Sequence, residues 1–387
     1  MKAAREGYAA ALLDWLACAA AGRHEPAARA ARELGHGTHE SIVALGAAGH
    51  VLDFDDTFLP GLSHLSAPTA PVALALGAEL GASAGEALDA FAAGFEAMGA
   101  VARASHPALY LGGWHPTAVC GVVGSATAAA RLLGLDDDRE QAALAIALLR
   151  ASGLRAAFGS EGKALQVGLS AGAGYLAARL AAAGASVPLD EAVGGSAGFE
   201  AAFAARFAWA GEPQPAIAEN WIKAWPCCLQ THSSIEVAAR ARADGLAAGS
   251  AAEVRVHPIS LEAARYGPRP ADGLQAKFSI PYCTAFTMLH GPPGVDSFRA
   301  VDAELAAAAE RVHVVADDSL LESEAVLRAE GRELRVEAAL GSPRRPMDAE
   351  RRAAKIRELA GERLAVALDD PDRPAGSLLE EAGLAWR

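Results

Sequence analysis

Apolar positions recur at helical spacing along the first 209 residues, and no run there alternates with the two-residue period of a strand. Residues 8–21 are apolar on every face, which predicts a well-buried helix. Further helices are predicted over 67–81, 84–104, 117–133, 136–149 and 171–183. Gly134 follows one of these helices as a C′ glycine, and Asp136 precedes the next as an N-cap. This half of the chain is therefore expected to be all helical.

The pattern changes after Trp209, where residues 210–220 contain two prolines and a glycine and are typical of a loop. Beyond them, three segments are alternating and β-branched, as strands are: 252–260, 310–317 and 334–340. Residues 348–368 return to a helical pattern. The chain is thus predicted to be mainly α with a smaller α+β lid. The all-helical domain would comprise 1–222 plus 346–387, and the lid 223–345.

Composition and charge narrow the class of protein. The chain has 387 residues, of which 52% are hydrophobic and 21% are charged, so a disordered protein is excluded. The formal charge is −13 and basic residues form no run, which argues against nucleic acid as a partner. Five cysteines form no CxxC pair, which is typical of a reduced protein and predicts a cytoplasmic location.

One uncharged stretch, residues 104–130, raises the question of a membrane span. It is interrupted by His106-Pro107 and by the segment 112–116, whereas a spanning helix needs about 20 apolar residues without such breaks. Near the N-terminus, Glu6 and Asp14 interrupt the apolar periodicity, which favours an amphipathic helix over a signal peptide. No membrane partner is expected.

The densest cluster of acids is HVLDFDDTF, residues 50–58, in which Asp53, Asp55 and Asp56 precede Thr57. One interpretation is a cluster at a helix end. A second is a Mg²⁺ phosphatase of the haloacid dehalogenase type, because those enzymes carry DxDxT after a strand; here the preceding residues are helical. A third is a metal site that includes His50, although no second set of ligands is evident.

Two further motifs each hold one candidate residue in the first half of the chain. His115 lies between a tryptophan and a proline in residues 112–117, as a candidate acid or base or as a buried helix cap. Lys163 lies alone among small and apolar residues in 160–168. It is a candidate partner for a carboxylate, or a lysine whose stem covers a helix end.

The second half of the chain contributes two more candidates. His232 opens a predicted helix within 223–236, where Cys227 and Cys228 are interpreted as packing residues because adjacent side chains diverge. Tyr282 follows a proline in 277–291 and could donate a proton, or simply belong to the core.

Taken together, these motifs resemble the MmgE/PrpD family, which includes 2-methylcitrate dehydratase, cis-aconitate decarboxylase and an iminodisuccinate epimerase. The resemblance runs from about residue 40 to about residue 290, in the order HVLDFDDT, a histidine, GWHPT, SGLRAAFGSEGK, WPCCLQTH and FSIPYC. It implies a large helical domain with a smaller lid, a site between them without cofactor or metal, and a homodimer. Family members usually carry another helical segment before Met1, so this chain is expected to begin late or to be shortened.

Carried over position by position, the resemblance implies seven site residues: Asp53, Thr57, His64, His115, Lys163, His232 and Tyr282. Asp53 and Thr57 would orient the histidines and the substrate. Two positions depart from the family pattern. Leu65 follows His64 where relatives often have proline, and Gln166 stands where many relatives have the histidine of KPLH.

The resemblance also implies a chemistry in which negative charge develops beside a carboxylate. His115 or His64 would move the proton, Lys163 would bind the substrate carboxylate and Tyr282 would act as the acid. Because Asp53 is negative, we expect it to raise the pKa of a histidine beside it.

The leading hypothesis is therefore a cofactor-free lyase on a small di- or tricarboxylate, most like the hydro-lyase 2-methylcitrate dehydratase. An epimerase or isomerase, or a decarboxylase, would use the same site. A protein that binds a carboxylate without turning it over is the alternative from another class.

Overall fold

A computed structural model describes residues 2–209, 214–247 and 249–385. Helices follow one another through the first 203 residues, as the apolar periodicity predicts. Their bounds are α1 Lys2–Gly22, α2 Pro26–Arg32, α3 Thr38–His50, α4 Ser66–Leu80, α5 Ala84–Ser105, α6 Ala108–Leu111, α7 Pro116–Leu132, α8 Asp137–Leu148, α9 Gly162–Ala182, α10 Leu189–Gly194 and α11 Phe199–Phe203. The prediction of a mainly helical, two-domain protein is confirmed.

The rest of the chain alternates helices and short strands. The helices are α12 His232–Ala243, α13 Pro258–Ala263, α14 Gly273–Ala276, α15 Ile280–His290, α16 Ala303–Ala309, α17 Ala349–Ala360 and α18 Ala375–Glu381. The strands are β1 Thr57–Phe58, β2 Asn220–Trp221, β3 Ala252–Val256, β4 Val312–Ala316, β5 Ala325–Ala329 and β6 Arg332–Val336. Of the predicted loop, residues 210–213 lie outside the described residues.

The helical core is built from alanine, glycine and a few large side chains. In α1, every residue from 11 to 20 is buried, with Trp15 and Leu12 fully enclosed. Helices α3 and α9 approach so closely that a Cβ added at Gly168 would lie 2.2 Å from the carbonyl oxygen of Val43. Small residues at such crossings bring the helix backbones together, which explains why an alanine-rich sequence can bury a large core without bulky side chains.

A four-stranded mixed sheet of order β4-β3-β5-β6 forms the centre of the second core. Strands β3 and β4 are parallel, with Ala252 opposite Val312, and both lie within predicted strands, although the first prediction, 252–260, runs on into α13. Strand β5 was not predicted. The third predicted strand, 334–340, is wrong in its bounds, because β6 comprises Arg332–Val336. A tight turn, in which Glu330 and Gly331 have positive φ, connects β5 to β6.

The C-terminal helices pack back on the helical domain. Ile356 of α17 and Leu378 of α18 belong to the same apolar cluster as Trp15 of α1. A buried ion pair also joins α17 to α1, since the Lys355 ammonium lies 2.7 Å from the carboxylate of Asp14. The boundaries at residues 222 and 346 stay a prediction, as does the homodimer. Among the described residues, no helix has the length and apolar character needed to cross a membrane.

Candidate active site

The acidic cluster forms an irregular loop between α3 and β1, and this loop presents Asp53. The backbone of Asp53 is left-handed, with φ of 54°, a conformation that aspartate tolerates better than most residues. Its buried carboxylate accepts a hydrogen bond from Lys163 at 2.5 Å and lies 3.2 Å from the Lys223 ammonium. Burial alone would raise the pKa of Asp53, but the two lysines hold that pKa well below its usual value.

Two histidines flank the carboxylate of Asp55 and have their tautomers fixed. The Nδ1–H group of His50 donates to Asp55 at 2.8 Å, and that of His64 donates to the backbone oxygen of Asp56 at 2.7 Å. Each Nε2 atom is therefore left with a free lone pair in the neutral ring. The Nε2 of His64 lies 3.9 Å from the Asp53 carboxylate, which places a proton acceptor beside the Lys163–Asp53 pair.

His115 is the N-cap residue of α7, where its backbone amide donates to Gly153. Its ring lies between two others, 6.1 Å from the His50 ring and 5.0 Å from the Phe158 ring. Both ring nitrogens are buried and have no hydrogen-bond partner. A buried polar group without a partner is costly, so this ring is well suited to bind a ligand.

Of these groups, Asp53, His64, His115, Lys163 and Lys223 line a cavity of about 50 Å³ between the helical domain and the lid. Its polar wall includes Asp53, Thr57, His64, Tyr110, His115, Lys163 and Lys223. Its apolar wall includes Leu62, Phe158, Leu229, Ala263 and Phe278. Five of the seven residues implied by the family resemblance thus come together, although they are spread over more than one hundred positions of sequence.

His232 and Tyr282 are not among the residues that line this cavity, so the expectation that all seven share one cleft stays a prediction for these two. The Nε2–H of His232 donates to the carbonyl of Trp225 at 3.1 Å. The hydroxyl of Tyr282 accepts from the backbone amide of Asp302 at 3.2 Å, inside the lid core. Both side chains are held by partners in the lid.

Tyr110 and Lys223 occupy the cavity in their place, and the motif analysis missed both. The Tyr110 hydroxyl is buried without a hydrogen-bond partner, and burial raises the pKa of Tyr110 to about 12. Lys223 could have been found from composition. The chain has 29 arginines but only five lysines, and four of these lysines (163, 223, 277 and 355) are buried.

The histidines are neutral in this site, which corrects the expectation that Asp53 would raise the pKa of a neighbouring imidazole. Burial lowers the pKa of His64 to about 3, despite the opposing charge of Asp55, and Lys163 lowers it further. Burial and Lys163 also lower the pKa of His115 well below its usual value. Desolvation and a neighbouring ammonium therefore outweigh the carboxylates, and both rings are uncharged at neutral pH.

We expect this burial to appear as acid sensitivity of folding. Between pH 6.5 and 3 the unfolded chain protonates His64 and the folded chain does not, so the free energy of unfolding falls as pH falls. Because of His64, the free energy of unfolding at pH 5 should be about 2 kcal/mol lower than at pH 7. Asp56 has the opposite effect on the free energy of unfolding. Burial raises the pKa of Asp56 to about 7, so the folded chain binds this proton more readily than the unfolded chain does. Urea unfolding at pH 7 and pH 5 should thus show a larger loss for the wild type than for His64→Gln; equal losses would contradict the assignment.

Three side chains here could also be considered as metal ligands. Potential ligand atoms of His50, Asp53 and His64 lie within 4.8 Å of one another. However, Lys163 and Lys223 already bind the Asp53 carboxylate, and two ammonium groups at that distance repel a cation. The donor set therefore fits a metal poorly, and the lysines suit an anion better.

The phosphatase interpretation of the acidic cluster is wrong. The cluster follows helix α3 rather than a strand, and β1, with two residues, is the only strand in the described part of the first 209 residues. Asp56 accepts hydrogen bonds from the side chains of Ser66 and Asn220 instead of facing the cavity. The aspartates thus have separate roles set by their different partners.

The two departures from the family pattern are structural in this chain. Leu65 is fully buried just before α4. Gln166 pairs with both backbone groups of Leu154, with its Nε2 donating to the carbonyl at 3.2 Å. It thereby holds the segment whose Gly153 carbonyl accepts from the His115 amide. Among the residues that line the cavity, neither departure is present.

The fold and site define a two-domain protein with a buried, lysine- and histidine-lined cavity between a helical body and a mixed lid. Comparison with protein-family models identifies the family. The MmgE/PrpD N-terminal domain matches residues 1–212 and the MmgE/PrpD C-terminal domain matches 225–373. The chain belongs to the MmgE/PrpD family, as its motifs indicated.

Two curated relatives are similar to the chain over part of its length. It is 30% identical to human cis-aconitate decarboxylase over 276 residues, covering 65% of this chain and 56% of the human protein. It is 32% identical to the mouse protein of the same name over 244 residues, covering 59% of this chain and 46% of the mouse protein. The chain thus spans about half the length of the curated relatives it matches.

Proposed function

We propose that this protein is a cofactor-independent lyase that acts on a small di- or tricarboxylate, with dehydration as the leading reaction. The observation that carries the proposal is the juxtaposition, in one cavity, of two ammonium groups with neutral and unpartnered histidine nitrogens. Ammonium groups bind carboxylates, and neutral imidazoles accept protons. A reaction that removes a proton beside a carboxylate requires both.

Anion binding is supported by the elements that carry these groups. Lys163 lies in the first turn of α9, and Thr117 in the first turn of α7, and both line the cavity. Helix N-termini carry partial positive charge and favour anions. Asp53 neutralises only part of the charge of Lys163 and Lys223. Because the cavity is only about 50 Å³, we expect the lid to shift when a compact acid binds.

In the proposed mechanism, a substrate carboxylate binds beside Lys163 and Lys223. His115 removes the proton on the adjacent carbon, because its ring nitrogens are neutral and without partners. The lysines stabilise the enolate-like charge that develops on the carboxylate. Tyr110 donates its hydroxyl proton to the departing hydroxide, so that water leaves and a double bond forms. This role replaces the one expected for Tyr282.

Decarboxylation is the second candidate, favoured by the names of the human and mouse relatives. Loss of CO₂ would leave the same carbanion, which a histidine would then protonate. An epimerase would return the proton to the opposite face of the same carbon. A non-catalytic relative would bind the acid and leave it unchanged. These outcomes share the site and differ in the fate of the carbanion.

Proton NMR of the purified protein in D₂O, with a panel of di- and tricarboxylates, distinguishes these reactions. We expect the signal of an alkene product with loss of water. Deuterium incorporation with release of CO₂ would instead establish decarboxylation, and exchange of an α-proton without net loss would establish epimerisation. Saturation transfer to an unchanged acid would indicate binding alone. EDTA should leave turnover unchanged, and a loss that added metal restores would overturn the cofactor-free mechanism.

A further inference from the structure

The loop that presents Asp53 has three consecutive carbonyl groups outside regular secondary structure, those of residues 52–54. Each is bound by a different buried lysine. Lys277 donates to Leu52 at 2.7 Å, and Lys223 donates to Asp53 at 2.8 Å. Lys355 donates to the next carbonyl, that of residue 54, at 2.9 Å. Buried carbonyl groups need partners, and here the partners are charged.

The three lysines come from different parts of the chain. Lys277 ends α14 in the lid, Lys223 follows β2, and Lys355 belongs to α17 near the C-terminus. The loop is therefore held at one time by the lid, by the connection between the two cores and by the returning helix. Its shape depends on the correct docking of all three.

Lys355 is the most extensively bonded of the three. Its ammonium pairs with Asp14, donates to the carbonyls of Phe54 and Lys223, and lies 3.8 Å from the centroid of the Phe54 ring. It thus fixes the loop and also the backbone of Lys223, which itself binds Asp53. A single side chain connects α1, the loop and the cavity.

Neither Lys277 nor Lys355 lines the cavity, yet both are at least nine-tenths buried. Burying an ammonium group is unfavourable without compensation, and burial lowers the pKa of Lys277 to about 8. An apolar side chain would pack at less expense. The cost of burying these two ammonium groups is offset by their hydrogen bonds to the loop. In that loop Asp53 adopts a left-handed backbone, a conformation that its surroundings must maintain.

We infer that Lys277 and Lys355 are positioning residues, which hold the backbone of residues 52–54 so that the Asp53 carboxylate meets Lys163 and Lys223. The loop geometry follows from the contacts above, and only its catalytic consequence rests on the proposed function. An ammonium group suits this task because it is compact and can donate three hydrogen bonds in different directions, whereas guanidinium is a planar fork. The scarcity of lysine elsewhere in this arginine-rich chain agrees with such a specific use.

The test compares Lys277→Met with the double variant Asp14→Asn/Lys355→Met. The double variant removes both charges of the buried pair, because Lys355→Met alone would leave an unpaired buried carboxylate and could fail to fold. Arg373→Met is the matched control. It removes a partly buried cation of the C-terminal segment that bonds to Ala367, Ser377 and Glu381, away from the loop.

Hydrogen exchange measured by mass spectrometry should show the loop peptide, residues 51–58, exchanging about fivefold faster or more in both variants. Peptides of α7 should be unchanged, and Arg373→Met should match the wild type at the loop. On a substrate that the wild type turns over, kcat should fall about 10- to 100-fold, with a smaller change in KM.

Unchanged exchange of the loop in both variants would overturn the inference, whatever their activity. Equal acceleration of the loop and α7 would also overturn it, because the lysines would then support the whole fold rather than the loop. Faster exchange of the loop alone would support the inference even if no carboxylate were turned over by the wild type. A wild type that turns over no carboxylate would count against the proposed function only.

Discussion

His115→Ala should lower kcat/KM by about 10²–10⁴-fold, the range typical for loss of a general base. His115 is the cavity residue whose two ring nitrogens are both buried without a partner, so its removal takes away the base assigned in the proposed reaction and leaves His64 as the other histidine that lines the cavity. The loss should be mainly in kcat, because the substrate carboxylate would still meet Lys163 and Lys223.

Steady-state kinetics with the substrate found by NMR provides the measurement. His39→Ala is a suitable control, since His39 lies on α3, is partly exposed and pairs with Glu40. The wild type should also keep a level kcat/KM from pH 8 down to pH 6.5, because the pKa of His115 in the free protein is well below its usual value. Full activity of His115→Ala would remove this residue from the mechanism.

Lys163→Met should lower kcat/KM by about 10²–10³-fold, comparable to the loss of one donor that stabilises developing negative charge. The Lys163 ammonium lies between the rings of Phe158 and Phe278, at 5.6 Å and 5.4 Å from their centroids. In that apolar surrounding its charge is little screened by water. Both substrate binding and the transition state should therefore suffer.

A second effect of Lys163→Met should be on Asp53, which would keep only Lys223 as a cationic partner. Kinetics and calorimetric titration with an unreactive tricarboxylate measure the two effects separately. Arg179→Met serves as the control, since Arg179 lies on the same helix but pairs with Glu79 at the surface. A Lys163→Met variant with kcat/KM within about twofold of the wild type would show that no substrate carboxylate depends on this lysine.

The helices were predictable because local rules determine them. Apolar periodicity, the Ser83–Glu86 capping box and the left-handed Gly81 and Gly134 all act within a few residues of sequence. Strand β5 was missed for the opposite reason. It lies between β3 and β6, and Ala325, Val326 and Leu327 are buried in succession, so the alternation that identifies a strand is absent.

The site was partly predictable from family motifs, but the direction of a side chain was not. Tyr282 stands in a matching motif, yet Ser279 caps α15 through the Tyr282 amide, and the helix turns the phenol toward the Asp302 backbone. Which face of a helix meets the cavity depends on tertiary docking. The neutral state of the histidines also escaped prediction, because desolvation depends on burial that the sequence does not reveal.

The concentration of lysine at one place has a practical consequence for covalent labelling. Reagents that acylate amines need an accessible, uncharged amine, and the ammonium groups of Lys163, Lys223, Lys277 and Lys355 are all enclosed against residues 52–54. In the folded protein these four positions are shielded from such reagents. Acylation of Lys277, whose hydrogen bond to Leu52 joins the lid to this loop, would record that the lid had moved away from the loop, so ordinary bioconjugation chemistry becomes a reporter of lid movement.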